Sequence, residues 1–160
     1  HSVDSESSVL VRGSGGMAKA VVAAFRESGF KQLIVASRNS STGQQLATKY
    51  GYSWISESDL DLVSPAQVLV NVTPIGMSGG NEGELSFPQP LIDSASVIFD
   101  VVAMPVETSL ILAGQSGGKN VITGLEVMAL QAAIQFELYT GIKLSDDQVR
   151  RASAFSQKIS

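Results

Sequence analysis

Along this chain, short unbroken apolar runs take turns with stripes at helical spacing. Val9-Leu10-Val11, Leu33-Ile34-Val35-Ala36, Val68-Leu69-Val70 and Val97-Ile98-Phe99 are continuous and rich in β-branched residues. That is the pattern of strands buried on both faces. Between the first two runs, Ala18, Val21, Val22, Ala24 and Phe25 recur at helical spacing, and Leu46, Ala47 and Tyr50 do so after the second. The pattern predicts strands at 7–12, 31–37, 52–55, 67–72, 97–101 and 120–123, with helices over 16–28, 40–50, 107–117 and 125–139. Helix 125–139 shows a broad apolar face of Val127, Leu130, Ile134 and Leu138, flanked by Met128, Ala132 and Phe136. Ser145 reads as the N-cap of a last amphipathic helix. Residues 57–66 read as a polar connector or short helix stopped by Pro65, and 73–84 as a long loop dense in Pro, Gly and Asn.

Strands alternating with helices predict an α/β fold: a Rossmann-like, doubly wound, mostly parallel six-stranded sheet with helices on both faces. The crossovers are expected to be right-handed. The turn after the first strand sharpens this. Gly13, Gly15 and Ala18 stand at the spacing G-x-G-x-x-G/A. Gly13 permits the tight turn, Gly15 lets a diphosphate approach the backbone, and Ala18 lets the helix pack closely on the strand. The new helix offers free N–H groups to the phosphates. The other reading is a tight turn that binds nothing. At the end of the second strand, Ala36-Ser37-Arg38-Asn39-Ser40 contains no acid to bind a ribose 2′-hydroxyl. Arg38 sits where an arginine receives a 2′-phosphate, so the pattern favours NADP, unless Arg38 is an ordinary solvated charge.

Composition narrows the class. A chain of 160 residues with 44% hydrophobic and 16% charged residues reads as one globular domain. No apolar run approaches the roughly 20 residues of a membrane helix, and no signal region precedes the first strand. A net charge of −4 argues against nucleic acid as the main partner. Without cysteine there is no disulfide or thiolate metal site, which fits a cytoplasmic protein. No metal-ligand cluster and no Ser-His-Asp arrangement stands out, and the one histidine is His1. Residues 1–8 read as a disordered lead, with His1-Ser2 an expression remnant.

Four more positions bear on a site, three of them with two readings. Asn71 ends the fourth strand, where ligands gather, or it anchors the loop that follows. Asp100 ends the fifth strand and either meets a ligand or caps nearby backbone N–H groups. Gly124 would let its backbone meet a nicotinamide ring, and the long loop 73–84 would cover one. Gln131 is unusual within an apolar helix, or it faces water.

On these residues the chain resembles the cofactor-binding half of the shikimate dehydrogenase family. Gly13-Ser14-Gly15-Gly16-Met17-Ala18 looks like the family's glycine loop, and Ser37-Arg38-Asn39 sits where the family has Asn-Arg-Thr. Asn71-Val72-Thr73-Pro74-Ile75-Gly76-Met77 resembles the loop Asn-x-Thr-Pro-x-Gly-Met. Asp100 to Pro105 is similar to Asp-x-x-Tyr-x-Pro, and Gly124 to Gln131 resembles the last signature. The resemblance implies NADP-dependent, reversible reduction of 3-dehydroshikimate to shikimate in aromatic amino-acid biosynthesis. It implies cofactor contacts from Gly13, Ser14, Gly15, Gly16, Met17, Ala18, Ser37, Arg38, Asn39, Asn71, Val72, Thr73, Val101 and Gly124, and a substrate contact from Gln131. Ala103 replaces a substrate-facing tyrosine, and Thr42 falls where many members carry a second basic residue, which weakens the preference for NADP. The Val-Val-Ala-Met-Pro version looks like a divergent subgroup of the family, whose physiological substrate is expected to differ.

The resemblance also sets an expectation about what is missing. The family's substrate domain, with its catalytic Lys-Asp pair, precedes the cofactor domain, so no catalytic residue is assigned here. The chain divides into a lead (1–8), an NADP-binding domain (9–143) and a C-terminal helix (144–160) that packs toward the substrate domain. Such a chain binds NADP but does not turn over alone. Its Ala152, Phe155 and Ile159 would then be exposed and drive self-association. The alternative is a non-catalytic NADP-binding or sensing module, which a start codon near Val3 would favour.

Overall fold

The computed structural model describes residues 3–157. Strand β1 (Val9–Arg12) leads through the glycine turn into helix α1 (Gly16–Glu27), then β2 (Leu33–Ser37), α2 (Ser40–Tyr50) and β3 (Ser53–Ser56). A 3-10 helix (Glu57–Leu62) follows, then β4 (Val68–Asn71), α3 (Gln89–Ser94), β5 (Val97–Asp100), α4 (Ser109–Ser116), β6 (Asn120–Ile122), α5 (Gly124–Thr140) and α6 (Asp146–Gln157). The six strands form one sheet in the order β3-β2-β1-β4-β5-β6, and every pairing is parallel. This is the expected doubly wound, Rossmann-like α/β fold. Its strand order reverses between β1 and β4, and a crevice opens there at the carboxyl ends of the strands.

Each sheet face has its own core. Val9, Val11, Val35, Val68 and Val70 meet Ala18 and Val22 of α1 and Leu46 and Ala47 of α2. On the other face, Leu10, Ala36, Leu69 and Ile98 meet Leu60, Phe87, Leu91, Ile92 and Leu110. Paired residues of parallel strands share a face, so Ala36, Arg12, Asn71 and Asp100 form one row across the sheet's carboxyl edge.

Helix α2 has the bounds the pattern gives. Asn39 caps its start by accepting from Thr42 N at 3.0 Å, and Gly51 ends it at φ 73°. Helix α3 has no counterpart in the sequence reading. It is only six residues long, and its cue is a proline at the first helical turn, Pro90, followed by Leu91 and Ile92. Residues 3–8, expected as a disordered lead, are fastened to the sheet. Val3 packs on the first core, Lys31 pairs with Glu6 at 2.6 Å, and Ser8 exchanges bonds with Gln67.

Helix α5 starts on a capping box, in which Thr123 Oγ1 accepts from Glu126 N and Glu126 accepts from Thr123 N. Its broad apolar face is not buried: Leu130 is 59% exposed and Ile134 58%. Its main helical partner is α6. Ala152 is exposed as expected; the Phe155 side chain and Ile159 lie outside the described residues. No helix of the described residues is long and apolar enough to cross a membrane.

Candidate functional site

A cavity of about 490 Å³ lies at the carboxyl edge of the sheet, over the point where the strand order reverses. Its floor is the glycine turn. Gly13 has φ 124°, and a Cβ there would come within 2.9 Å of Val72 Cγ2, so the turn requires glycine and packs on the end of β4. Gly15 is the N-cap of α1, with no side chain capping the helix, and a Cβ there would meet nothing within 4 Å. The first N–H groups of α1 therefore face open space. A diphosphate fits this cradle on the chemistry of its donors.

The second wall comes from the end of β2 and the start of α2. Ser37 is buried, donates to the Asn39 carbonyl at 2.9 Å and accepts from Trp54 Nε1 at 2.9 Å. Its proton is already used, so it fixes the turn. Arg38 projects from that turn, exposed, and forms no ion pair among the described residues. Thr42 Oγ1 meets Ser14 Oγ at 2.7 Å and ties this wall to the glycine turn.

The third wall is the loop after β4, and a buried polar cluster shapes it. Asn71 Nδ2 donates to Ile75 O at 3.1 Å and to Asp100 Oδ1 at 2.9 Å. Its Oδ1 accepts from Thr73 N at 3.1 Å and Thr73 Oγ1 at 2.6 Å. All of its hydrogen-bonding capacity is used, so Asn71 anchors the loop. Asp100 also accepts from Val102 N at 3.0 Å and from Thr108 Oγ1 at 2.7 Å, and Thr108 in turn caps α4. Burial holds the Asp100 carboxyl above its ordinary value of 3.8, against the opposing pull of those three donors. Farther along, Gly76 N bonds Asn81 O and Ser78 N bonds Met104 O, so the loop is folded onto the body.

A family model described as shikimate / quinate 5-dehydrogenase matches residues 2–73. A shikimate dehydrogenase-like protein of Haemophilus influenzae is 54% identical over 150 residues, covering 93% of this chain and 54% of that protein. Over nearly its whole length the chain is similar to one part of shikimate dehydrogenase-like proteins. The solved structure of a shikimate 5-dehydrogenase-like protein superposes with a TM-score of 0.91 at 52% identity, covering 97% of this chain and 57% of that one. Shikimate 5-dehydrogenase from Thermus thermophilus, solved with NADP(H) and shikimate, gives 0.80 at 27% identity, covering 95% and 56%. Quinate dehydrogenase from Corynebacterium glutamicum, solved with NAD, gives 0.81 at 28%, covering 94% and 55%. The chain spans about half the length of the curated relatives it matches.

The shikimate dehydrogenase-like motifs do not all meet at the cavity. Gly13, Ser14, Gly15, Ser37, Arg38, Asn39, Val72 and Thr73 line it. Gly16, Met17 and Ala18 belong to α1, with Ala18 wholly buried under the sheet. A Cβ on Gly124 would lie 2.5 Å from Val101 O and 2.4 Å from Val102 O, so glycine there lets α5 start against the strand end. Gln131 is exposed on α5 and is not part of the cavity wall. The sequence reading left out Arg12 and Glu57, which do line it, whereas Pro74, Ile75, Asn81 and Glu84 come from the loop 73–84 that it expected to cover a nicotinamide. Arg12 had a signal: a charge closing a run of buried apolar residues. Among the described residues no group of three or more His, Cys, Asp or Glu could hold a metal ion.

Proposed function

We propose that this chain is the NADP-binding half of a shikimate dehydrogenase-type oxidoreductase, and that it binds NADP without turning over by itself. The observation that carries the reading is Arg38, an exposed guanidinium without an ion pair among the described residues, on the rim of the cavity over the glycine turn. The α1 N-terminus with Gly13 and Gly15 would hold the diphosphate, and Arg38 would hold the 2′-phosphate. Ser37 and Asn39 shape the turn that presents Arg38, and Asn71 with Thr73 holds the loop over the cavity. When bound, the nicotinamide supplies or accepts a hydride, as in the reduction of 3-dehydroshikimate to shikimate. Ketone reduction also needs a proton donor. None of the cavity-lining residues matches a catalytic position of the family resemblance. The Lys-Asp pair that the resemblance implies belongs to the substrate domain, against which residues 144–160 would pack. Gln131, away from the cavity, would contact substrate from that side. Residues 9–143 then act as the dinucleotide domain.

Paired titration of the chain and an Arg38→Ala variant with NADP and NAD tests this. Losing one or two charged hydrogen bonds should weaken NADP by about 10- to 100-fold and leave NAD nearly unchanged. Binding that ignores Arg38, or that is equal for the two dinucleotides, overturns the NADP assignment. A shikimate-dependent NADP reduction rate near that of a full-length enzyme overturns the claim of no turnover.

A further inference from the structure

The cavity wall carries two guanidinium groups, Arg12 and Arg38, and two carboxylates, Glu57 and Glu84. Arg12 is the one out of place. It closes β1 after three buried apolar residues, and its side chain is only 15% exposed. Its pairing is thin. Nη1 donates to the Ser86 carbonyl, Nη2 reaches Glu57 Oε2 at 3.5 Å, and Nε is buried with no partner among the described residues. A guanidinium held this way is not a product of core packing, because burying a charge costs stability unless it is fully bonded. What it does achieve is to set a positive charge against Glu57 at the cavity wall.

We propose that Arg12 makes the cavity selective for the 2′-phosphorylated dinucleotide by neutralising Glu57. This rests on the NADP reading above. Arg38 is the one arginine of the cavity wall without an ion pair among the described residues, and the position of the family's second basic residue holds Thr42, bonded to Ser14. The balance of charge around a phosphate dianion therefore depends on Glu57 and Glu84, and of the two only Glu57 has an arginine partner among the described residues. A bare carboxylate a cavity's width away repels the dianion by about tenfold or more in affinity. NAD has a hydroxyl at that place, so it feels only the weaker repulsion that both dinucleotides share through the diphosphate. Arg12 is thus a positioning residue, and the specificity it confers passes through Glu57.

The test is titration of the full chain with NADP and NAD for wild type, Arg12→Met, Glu57→Gln and the double variant, each checked for folding by its melting curve. Arg12→Met should weaken NADP by about tenfold or more and change NAD by less than about threefold. Adding Glu57→Gln should restore most of the NADP affinity, and Glu57→Gln alone should not weaken it. An equal loss for both dinucleotides that Glu57→Gln does not rescue overturns the proposal and makes Arg12 only a tether for Ser86. If Arg12→Met does not fold, Arg12→Lys decides. Retained NADP preference supports charge neutralisation, and lost preference in the folded variant overturns it. A wild type that prefers NAD, or binds neither dinucleotide, removes the NADP reading and this inference together. A wild type that prefers NADP, with no Glu57-dependent effect, sinks the inference alone.

Discussion

Gly43 offers a sharp test of how the Arg38 turn is held in place. It is a buried glycine inside α2, where alanine would ordinarily stabilise a helix by about 1 kcal/mol. Here the added methyl has no room. It would lie 2.1 Å from Ser37 Oγ, 2.3 Å from Trp54 Nε1 and 2.5 Å from Trp54 Cδ1. It would land on the hydrogen bond that Trp54 gives Ser37. Overpacking of this kind costs about 1–3 kcal/mol, and a buried donor left unpaired costs about 1–3 kcal/mol more. Against the helix gain, Gly43→Ala should destabilise by about 1–5 kcal/mol. For a chain of this size, that lowers the melting temperature by roughly 2–20 °C. Urea and thermal unfolding measure the loss. Trp54 is the chain's single tryptophan, so its fluorescence reads the same site. In a Trp54→Phe background the added cost of Gly43→Ala should shrink, because the indole edge that it strikes is gone. A neutral or stabilising Gly43→Ala would refute the reasoning and show that α2 shifts freely on the sheet.

Two further predictions concern the buried carboxylate and the uncovered helix. The raised carboxyl of Asp100 favours the protonated form in the fold, so its contribution to stability is full below 3.8 and is lost as pH rises through the folded value. Asp100→Asn should flatten that decline in a series of melts taken from about pH 3 upward, and an unchanged slope would assign the decline to other groups. Leu130 and Ile134 lie exposed along α5, so the isolated chain should self-associate with rising concentration. Sedimentation should show Leu130→Glu with Ile134→Glu shifting it toward monomer without lowering the melting temperature, and equal association in both proteins would point to another face.

The sheet was readable because continuous β-branched runs have few other uses. Leu33–Ser37 and Val68–Asn71 fall inside the predicted spans, trimmed by polar Lys31, Gln32 and Gln67 at their starts and by Val72 at the end of the second. The apolar face of α5 was also readable, but periodicity reports that a face exists and not what covers it. Asn71 and Asp100 could not be decided from sequence. Their partners Thr73, Ile75 and Thr108 come from loops whose approach depends on the fold. Arg38 stood out because a single position at the end of β2 carries the choice of ribose chemistry. Arg12 went unread because its partner Glu57 is 45 residues away, and no local pattern joins them.

Helix α5 has a mechanical consequence. It springs from Gly124, pressed against the Val101 and Val102 carbonyls, and runs 17 residues outward. At about 1.5 Å per residue, that is an arm of roughly 26 Å. A rotation of about 5° at its root moves the far end by about 2 Å, on the order of a side-chain contact. The root is therefore where small errors are magnified, and it is also where the chain has no side chain to spare. Any substitution at Gly124 re-aims the whole arm, even if every residue along it is left unchanged.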